Sequence, residues 1–283
     1  MSFALLIFLI LTLLIPYLCF KFTSANQSET KAKDVMVIAH RGASGYAPEN
    51  TLSSFKKAMV LGADILELDV HLTADDSVVV MHDYNVKRTT NGTGDILSMN
   101  FVDVKKLDAG SWYGAEFANE KVPTLAEVLA LVNGKTKVLI ELKWPSKGIY
   151  PALVEKVVQI IHEYNAESWV ILQSFEIEYL EQAAKIAPHL NQQQLVFGKS
   201  GIIPFYFDRV PKFGEFSPQK ESTSINMFYM YINRTFINDM HQKQKKVYAF
   251  TPNNENDMKK LINIGVDGLI TNFPDIALKA LNR

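Results

Sequence analysis

His40, Glu67, Asp69 and His82 lie close together in the chain, each inside or at the end of a strongly apolar run. A polar group in such a run is costly to bury unless it is paired or bound to a metal. That cost marks the four as candidates for chemistry: imidazoles to move protons, carboxylates to hold a cation.

Strand geometry sharpens the reading. In ILELDV, residues 65–70, alternation puts Glu67 and Asp69 on one side and Leu66, Leu68 and Val70 on the other. The apolar side must meet other elements, so the two acids point inward together. Two carboxylates held that close repel unless a cation or a shared proton intervenes. Oxygen ligands of this kind favour calcium or magnesium. Only Thr73, Ala74, Asp75 and Asp76 separate this run from VVVM, residues 78–81. That is too short for a crossover helix, so the two runs form an antiparallel hairpin. With the turn centred on Ala74 and Asp75, His82 is expected across from Glu67.

By the same alternation Leu139, Glu141 and Lys143 share a face in VLIELK. Glu141 supplies a third acid for the metal. Lys143 brings positive charge toward a bound phosphate or, on the plainer reading, pairs with Glu141. His40 directly follows VMVIA, at the C-terminal end of a strand, where barrel enzymes place catalytic groups. Arg41 offers a planar fork for phosphate oxygens, and Gly42 lets the backbone approach a ligand closely. His71 receives no role.

The elements that must position these residues alternate. Strand-like runs at 35–39, 65–70, 78–81, 138–142, 169–175, 195–197, 225–230, 247–250 and 268–271 are interleaved with helical ones at 50–62, 124–133, 151–164, 176–187, 233–244 and 255–264. Repeated strand–helix units indicate a parallel sheet, and this many indicate a closed α/β barrel. The short hairpin makes that barrel an irregular (β/α)8 barrel. Residues 84–123 read as an insertion over its mouth. Residues 198–222 read as a long loop, unusually apolar, serving either as a lipid-contacting flap or as ordinary packing on the barrel.

Composition bounds the alternatives. At 48% hydrophobic residues the chain can bury a large core, and 283 residues suit one barrel domain over 35–283. A net charge of −1 leaves no footprint for nucleic acid. The single cysteine, Cys19, excludes an internal disulfide framework and a cysteine metal site. Residues 3–20 are apolar apart from Thr12, long enough for a membrane anchor and long for a signal-peptide core. Residues 1–25 are therefore expected to be one or the other, and 26–34 a polar linker. The protein is accordingly expected to be membrane-associated or secreted after cleavage.

The motifs HRG, PENT, ELDV, MHD, ELK and DGLITNFPD run in order from about residue 36 to the C-terminus. In this they resemble the glycerophosphodiester phosphodiesterase family. The resemblance implies a phospholipase C-like barrel. It also implies Glu67, Asp69 and Glu141 as ligands of Ca2+ or Mg2+, His40 and His82 as the acid–base pair, and Arg41 and Lys143 on the phosphate. The PENT motif adds Glu49 and Asn50 to the surroundings of metal and phosphate. Phe250 stands where the family usually carries a tryptophan on the glycerol side, and Asn272 where the closing motif usually has an aspartate. The implied reaction is hydrolysis of glycerophosphodiesters to an alcohol and glycerol 3-phosphate, by way of a cyclic phosphate or by direct attack of water. The alternative is lysophospholipase D action releasing lysophosphatidic acid. Which histidine is acid and which is base stays open.

Overall fold

The apolar runs pair side by side and close on themselves. The computed structural model describes residues 34–200 and 204–283. Its strands are β1 (Met36–Ala39), β2 (Ile65–Leu72), β3 (Val78–Val80), β4 (Lys137–Leu142), β5 (Val170–Ser174) and β6 (Asn191–Val196), then β7 (Gly198–Lys199), β8 (Phe205–Phe207), β9 (Pro211–Phe213), β10 (Ser222–Phe228), β11 (Lys246–Phe250) and β12 (Gly268–Thr271). Parallel pairing runs β1-β12-β11-β10-β6-β5-β4-β2, and β1 also pairs with β2, so eight strands form a closed barrel. The helices are α1 (Leu52–Val60), α2 (Phe101–Val104), α3 (Leu125–Val132), α4 (Leu153–Glu163), α5 (Ile177–Ile186), α6 (Arg234–Gln242), α7 (Glu255–Ile264) and α8 (Pro274–Ala280).

Alternation divides each strand between two environments. Leu66, Leu68 and Val70 of β2 face outward and pack with Phe55 of α1, Leu129 of α3 and Val157 of α4. Ile225, Met227, Val247 and Leu269 do the same on the opposite side, against Ile237 of α6 and Leu261 of α7. Inside, Ile38, Ile65, Leu139, Ile171, Tyr248 and Ile270 form an apolar plug. Glu67, Asp69, Glu141 and Gln173 stand one step further along their strands on the same inward faces, so the plug is the floor of the site. The loop that carries part of the site leads into α1, whose start is fixed by Thr51: its side chain accepts from Ser54 N in a capping box.

The β2–β3 pair is the expected antiparallel hairpin, but its register differs by one. Val70 faces Val80 and Leu72 faces Val78, and the ladder ends at Val80. His82 therefore lies beyond the paired residues rather than opposite Glu67. Asp76 adopts a positive φ of 59° in the turn, which shifts the centre assumed from sequence. Residues 84–123 carry a small core of their own, with Val86, Ile96, Val104 and Val122 buried against Val79 and Met81.

The described residues of 198–222 are not a structureless loop. β7, β8 and β9 form a separate antiparallel sheet, with Gly198 facing Phe207 and Phe205 facing Phe213. Its aromatic rings explain the apolar character: Phe207 lies 4.7 Å from Phe197 and 6.1 Å from Tyr231, centroid to centroid. β6 begins at Asn191, earlier than the LVF run suggests, because its glutamines are satisfied inside the fold. Gln193 accepts from Asn226 at 2.8 Å, and Gln194 accepts from the Gln219 amide at 2.7 Å.

The expected N-terminal anchor or signal segment, residues 1–25, lies outside the described residues, as does the linker up to residue 33. Among the described residues no helix is long and apolar enough to cross a membrane.

Candidate active site

The C-terminal end of β1 is bent to present three consecutive groups. His40 continues the strand, its amide donating to the Thr271 carbonyl at 2.9 Å. Arg41 and Gly42 then both take positive φ, 55° and 78°. At Gly42 a Cβ would sit 2.4 Å from Ser54 Oγ, so a side chain is excluded by space as well as by conformation. This turn aims the Arg41 amide at Glu67, where it donates to Oε2 at 2.8 Å. A left-handed arginine is a strained choice, and here the strain delivers a backbone donor to a buried acid.

Glu67 and Asp69 come from β2 and Glu141 from β4, where Asp69 and Glu141 are direct neighbours in register. All three are buried, and one oxygen from each lies within 4.8 Å of the others. Gln173 donates to Glu67 Oε1 at 3.1 Å and is itself held by Asn226 at 2.8 Å. Asn50, also left-handed with φ 58°, donates to Asp69 Oδ2 at 2.8 Å. Lys143 reaches Glu141 Oε1 at 2.8 Å and Asp69 Oδ1 at 3.6 Å. The plainer reading of Lys143 as the partner of Glu141 thus describes its contacts.

Electrostatics are unbalanced as they stand. Burial, together with Asp69 and Glu141, pushes the Glu67 carboxyl well above its usual range. Burial and Asp69 also raise Glu141, against the pull of Lys143. Burial opposes ionisation of Asp69 too, but His82, Lys143 and Arg41 outweigh it and hold that carboxyl low. Asp69 Oδ1 is buried without a hydrogen-bond partner, and so is Arg41 Nε. Unsatisfied buried polar atoms are uncommon and usually point to a missing ion, water or ligand. Three acids and an orphaned oxygen, with no nitrogen or sulfur donor among the three, fit a hard divalent cation.

The two histidines stand beside this cluster, and both line the same cleft of about 420 Å³. His40 Nδ1 is 2.7 Å from Asn272 Oδ1. With Nδ1–H donating to that oxygen, Nε2 keeps its lone pair. Burial, then the charge of Arg41, pushes the imidazole down to about 3, so it is neutral near pH 7. His82 Nδ1 is 2.6 Å from Asp83 Oδ1, a carboxylate that orients the ring. The His82 carbonyl is held from behind by His71 Nε2 at 3.1 Å, while His71 Nδ1 accepts from Tyr150 at 2.9 Å. His71 is thus a buried support for the loop carrying His82.

Arg41 grips Glu49 at 2.8 Å and approaches Asp69 at 3.5 Å. Phe250 ends β11 with its ring against Phe175 and Phe228, at 6.1 and 6.2 Å, and it lines the cleft. The structure therefore gathers His40, Arg41, Glu67, His82, Glu141, Lys143 and Phe250 around one opening, with Asp69, Glu49 and Asn50 directly behind. Sequence reasoning missed Gln173, Arg88 and the aromatic wall of Trp144, Phe175, Phe197 and Phe207. Gln173 was readable, since it interrupts an apolar strand as Glu67 does. The wall was not, because rings from four separate segments meet only in the fold.

Residues 40–276 match the glycerophosphoryl diester phosphodiesterase family. A glycerophosphodiester phosphodiesterase of Caldanaerobacter subterraneus subsp. tengcongensis is 39% identical over 88% of this chain and 98% of its own. A lysophospholipase D from Homo sapiens is 26% identical over 84% and 83% of the two chains. Among solved structures, an Oleispira antarctica phosphodiesterase in complex with the product sn-glycerol-3-phosphate superposes with a TM-score of 0.76. It is 28% identical and covers 88% of this chain and 97% of its own.

Proposed function

The chain belongs to the glycerophosphoryl diester phosphodiesterase family and hydrolyses glycerophosphodiesters to an alcohol and glycerol 3-phosphate, and we propose that the site around Glu67, Asp69 and Glu141 carries out that reaction. The observation that carries this reading is the convergence of three buried acids from two strands, within 4.8 Å, beside two oriented histidines.

In this reading Glu67, Asp69 and Glu141 hold Ca2+ or Mg2+, which when bound offsets the negative charge that gathers on the phosphoryl oxygens. Arg41 and Lys143 add to that stabilisation, Arg41 with two donors in one plane. Glu49 and Asn50 keep Arg41 and Asp69 in place. His40, neutral and with Nε2 free, takes the proton of the attacking group, either water or the neighbouring glycerol hydroxyl, the latter giving a cyclic phosphate that water then opens to glycerol 3-phosphate. His82, backed by Asp83, gives a proton to the leaving alcohol oxygen as its bond to phosphorus breaks. Phe250 supplies a flat apolar wall for the glycerol part.

The test is hydrolysis of glycerophosphocholine by purified protein with Ca2+ or Mg2+ and with a chelator. Activity is expected only with the ion, and His40→Ala and His82→Ala are each expected to lower kcat by at least 10²-fold, in line with the usual weight of acid–base groups. Unchanged turnover in His40→Ala contradicts the assignment.

One feature favours a second substrate class. Trp144, Phe175, Phe197 and Phe207 extend the cleft as an apolar wall, suited to an acyl chain. Lysophospholipids assayed beside glycerophosphocholine decide whether lysophospholipase D action accompanies the main reaction. The apolar run at 3–20 supports membrane association of residues 1–25, as an anchor or a cleaved signal. Fractionation of the full chain and N-terminal sequencing of the product separate these two.

A further inference from the structure

We propose that Arg88, in the inserted lobe, is a positioning residue that locks the catalytic His82 and the phosphate-binding Arg41 together through two carboxylates. Arg88 Nε and Nη2 donate to the two oxygens of Asp83 at 2.7 and 3.1 Å. Nη1 and Nη2 donate to the two oxygens of Glu49 at 2.8 and 2.7 Å. One guanidinium thus makes both forks. Each acid hands the constraint on: Asp83 to His82 Nδ1 at 2.6 Å, Glu49 to Arg41 Nη1 at 2.8 Å. Glu49 follows β1 and Asp83 follows β3, so this one side chain ties the two loops together.

The Arg88 side chain is 44% exposed, but its bidentate contacts form a charge network that can add stability as well, so positioning is read from kinetics. Arg88 is not among the residues that line the cleft; it reaches the site through Glu49 and Asp83. Its backbone is fixed by the lobe, where Val86 is fully buried and its amide donates to Gly94 at 3.0 Å. The inserted lobe therefore acts as a bracket for the site. A lysine carries its donors on one nitrogen and cannot span both carboxylates.

This inference rests on the phosphodiesterase reading, and the experiment separates the two. Steady-state kcat and KM for glycerophosphocholine, and inhibition by glycerol 3-phosphate, are measured with divalent ion for wild type, Arg88→Ala, Arg88→Lys, Glu49→Gln and Asp83→Asn. Misplaced catalytic groups can lose about 10²-fold. Asp83→Asn is expected to lower kcat on that order with KM within about twofold, and Glu49→Gln to raise KM and the product inhibition constant about tenfold with kcat nearly kept. Arg88→Ala is expected to show both losses, Arg88→Lys to recover only part, and Arg88→Ala/Asp83→Asn to have no lower kcat than Arg88→Ala. Arg88→Ala with wild-type kcat, KM and inhibition overturns the role of Arg88, as does a loss that neither Glu49→Gln nor Asp83→Asn reproduces. Should Arg88→Ala not fold, Arg88→Lys and the two single-acid variants carry the same comparison. A wild type that cleaves no glycerophosphodiester overturns the site reading and this inference with it.

Discussion

The side-chain oxygen of Asn272 stands 2.7 Å from His40 Nδ1, whereas His82 Nδ1 faces a carboxylate, Asp83, at 2.6 Å. Each ring is held at Nδ1 by one acceptor, an amide oxygen for His40 and a carboxylate for His82. In the proposed reaction His40 takes the role of base and His82 that of acid.

Replacing Asn272 by aspartate places a carboxylate on His40 and raises the pH at which that ring loses its proton. A base must be unprotonated to act, so the acid limb of the kcat/KM profile is expected to move to higher pH. A profile for Asn272→Asp that overlays wild type contradicts the role of His40 as base.

The acid cluster makes a prediction about stability. Without an ion, Glu67 and Glu141 titrate above their ordinary range, and their contribution to stability, present at low pH, is lost as pH rises past that range. Asp69, held low, has the opposite sign and keeps its contribution at neutral pH. A cation binds the ionised acids, so its stabilisation grows with pH. Melting curves with and without Ca2+ or Mg2+ are expected to separate by more at about pH 8 than at about pH 5. Glu141→Gln is expected to shrink the gap, and equal shifts at both pH values contradict this account.

Phe250 is expected to act on binding more than on chemistry. Removing its ring in Phe250→Ala should raise KM by about tenfold, the scale of lost apolar contact in a pocket, with a smaller effect on kcat. Kinetics on glycerophosphocholine check this, and a fall in kcat alone contradicts it.

Much of the site was legible because its residues violate the pattern around them. Glu67, Asp69 and Glu141 interrupt strands that are otherwise apolar, and a period of two fixes the face each must occupy. His40 was placed by its position at a strand end. What escaped was set by distance in space rather than by period. Asn272 was singled out as a departure from the closing motif, but its contact with His40 was not, because it lies 232 residues further on and only the pairing of β1 with β12 brings the two together. The one-residue error at His82 came from assuming a turn centre that Asp76 shifts. The small sheet of residues 198–213 was hidden because strands of two or three residues leave too short a period to read.

Gly42 links the fold to the site. Gly42→Ala adds a Cβ at a positive φ against Ser54, a strain costing about 1–3 kcal/mol. A lower melting temperature and weakened ion binding are expected together, because the same turn aims the Arg41 amide at Glu67. A variant as stable as wild type contradicts the tightness of this turn.

The convergence of acids is tested most directly by diffraction from crystals grown with Mn2+, using its anomalous signal. The account predicts one strong peak bonded to oxygens of Glu67, Asp69 and Glu141, with His40 and His82 on either side. A peak elsewhere in the barrel, or none at these three residues at saturating ion, contradicts it.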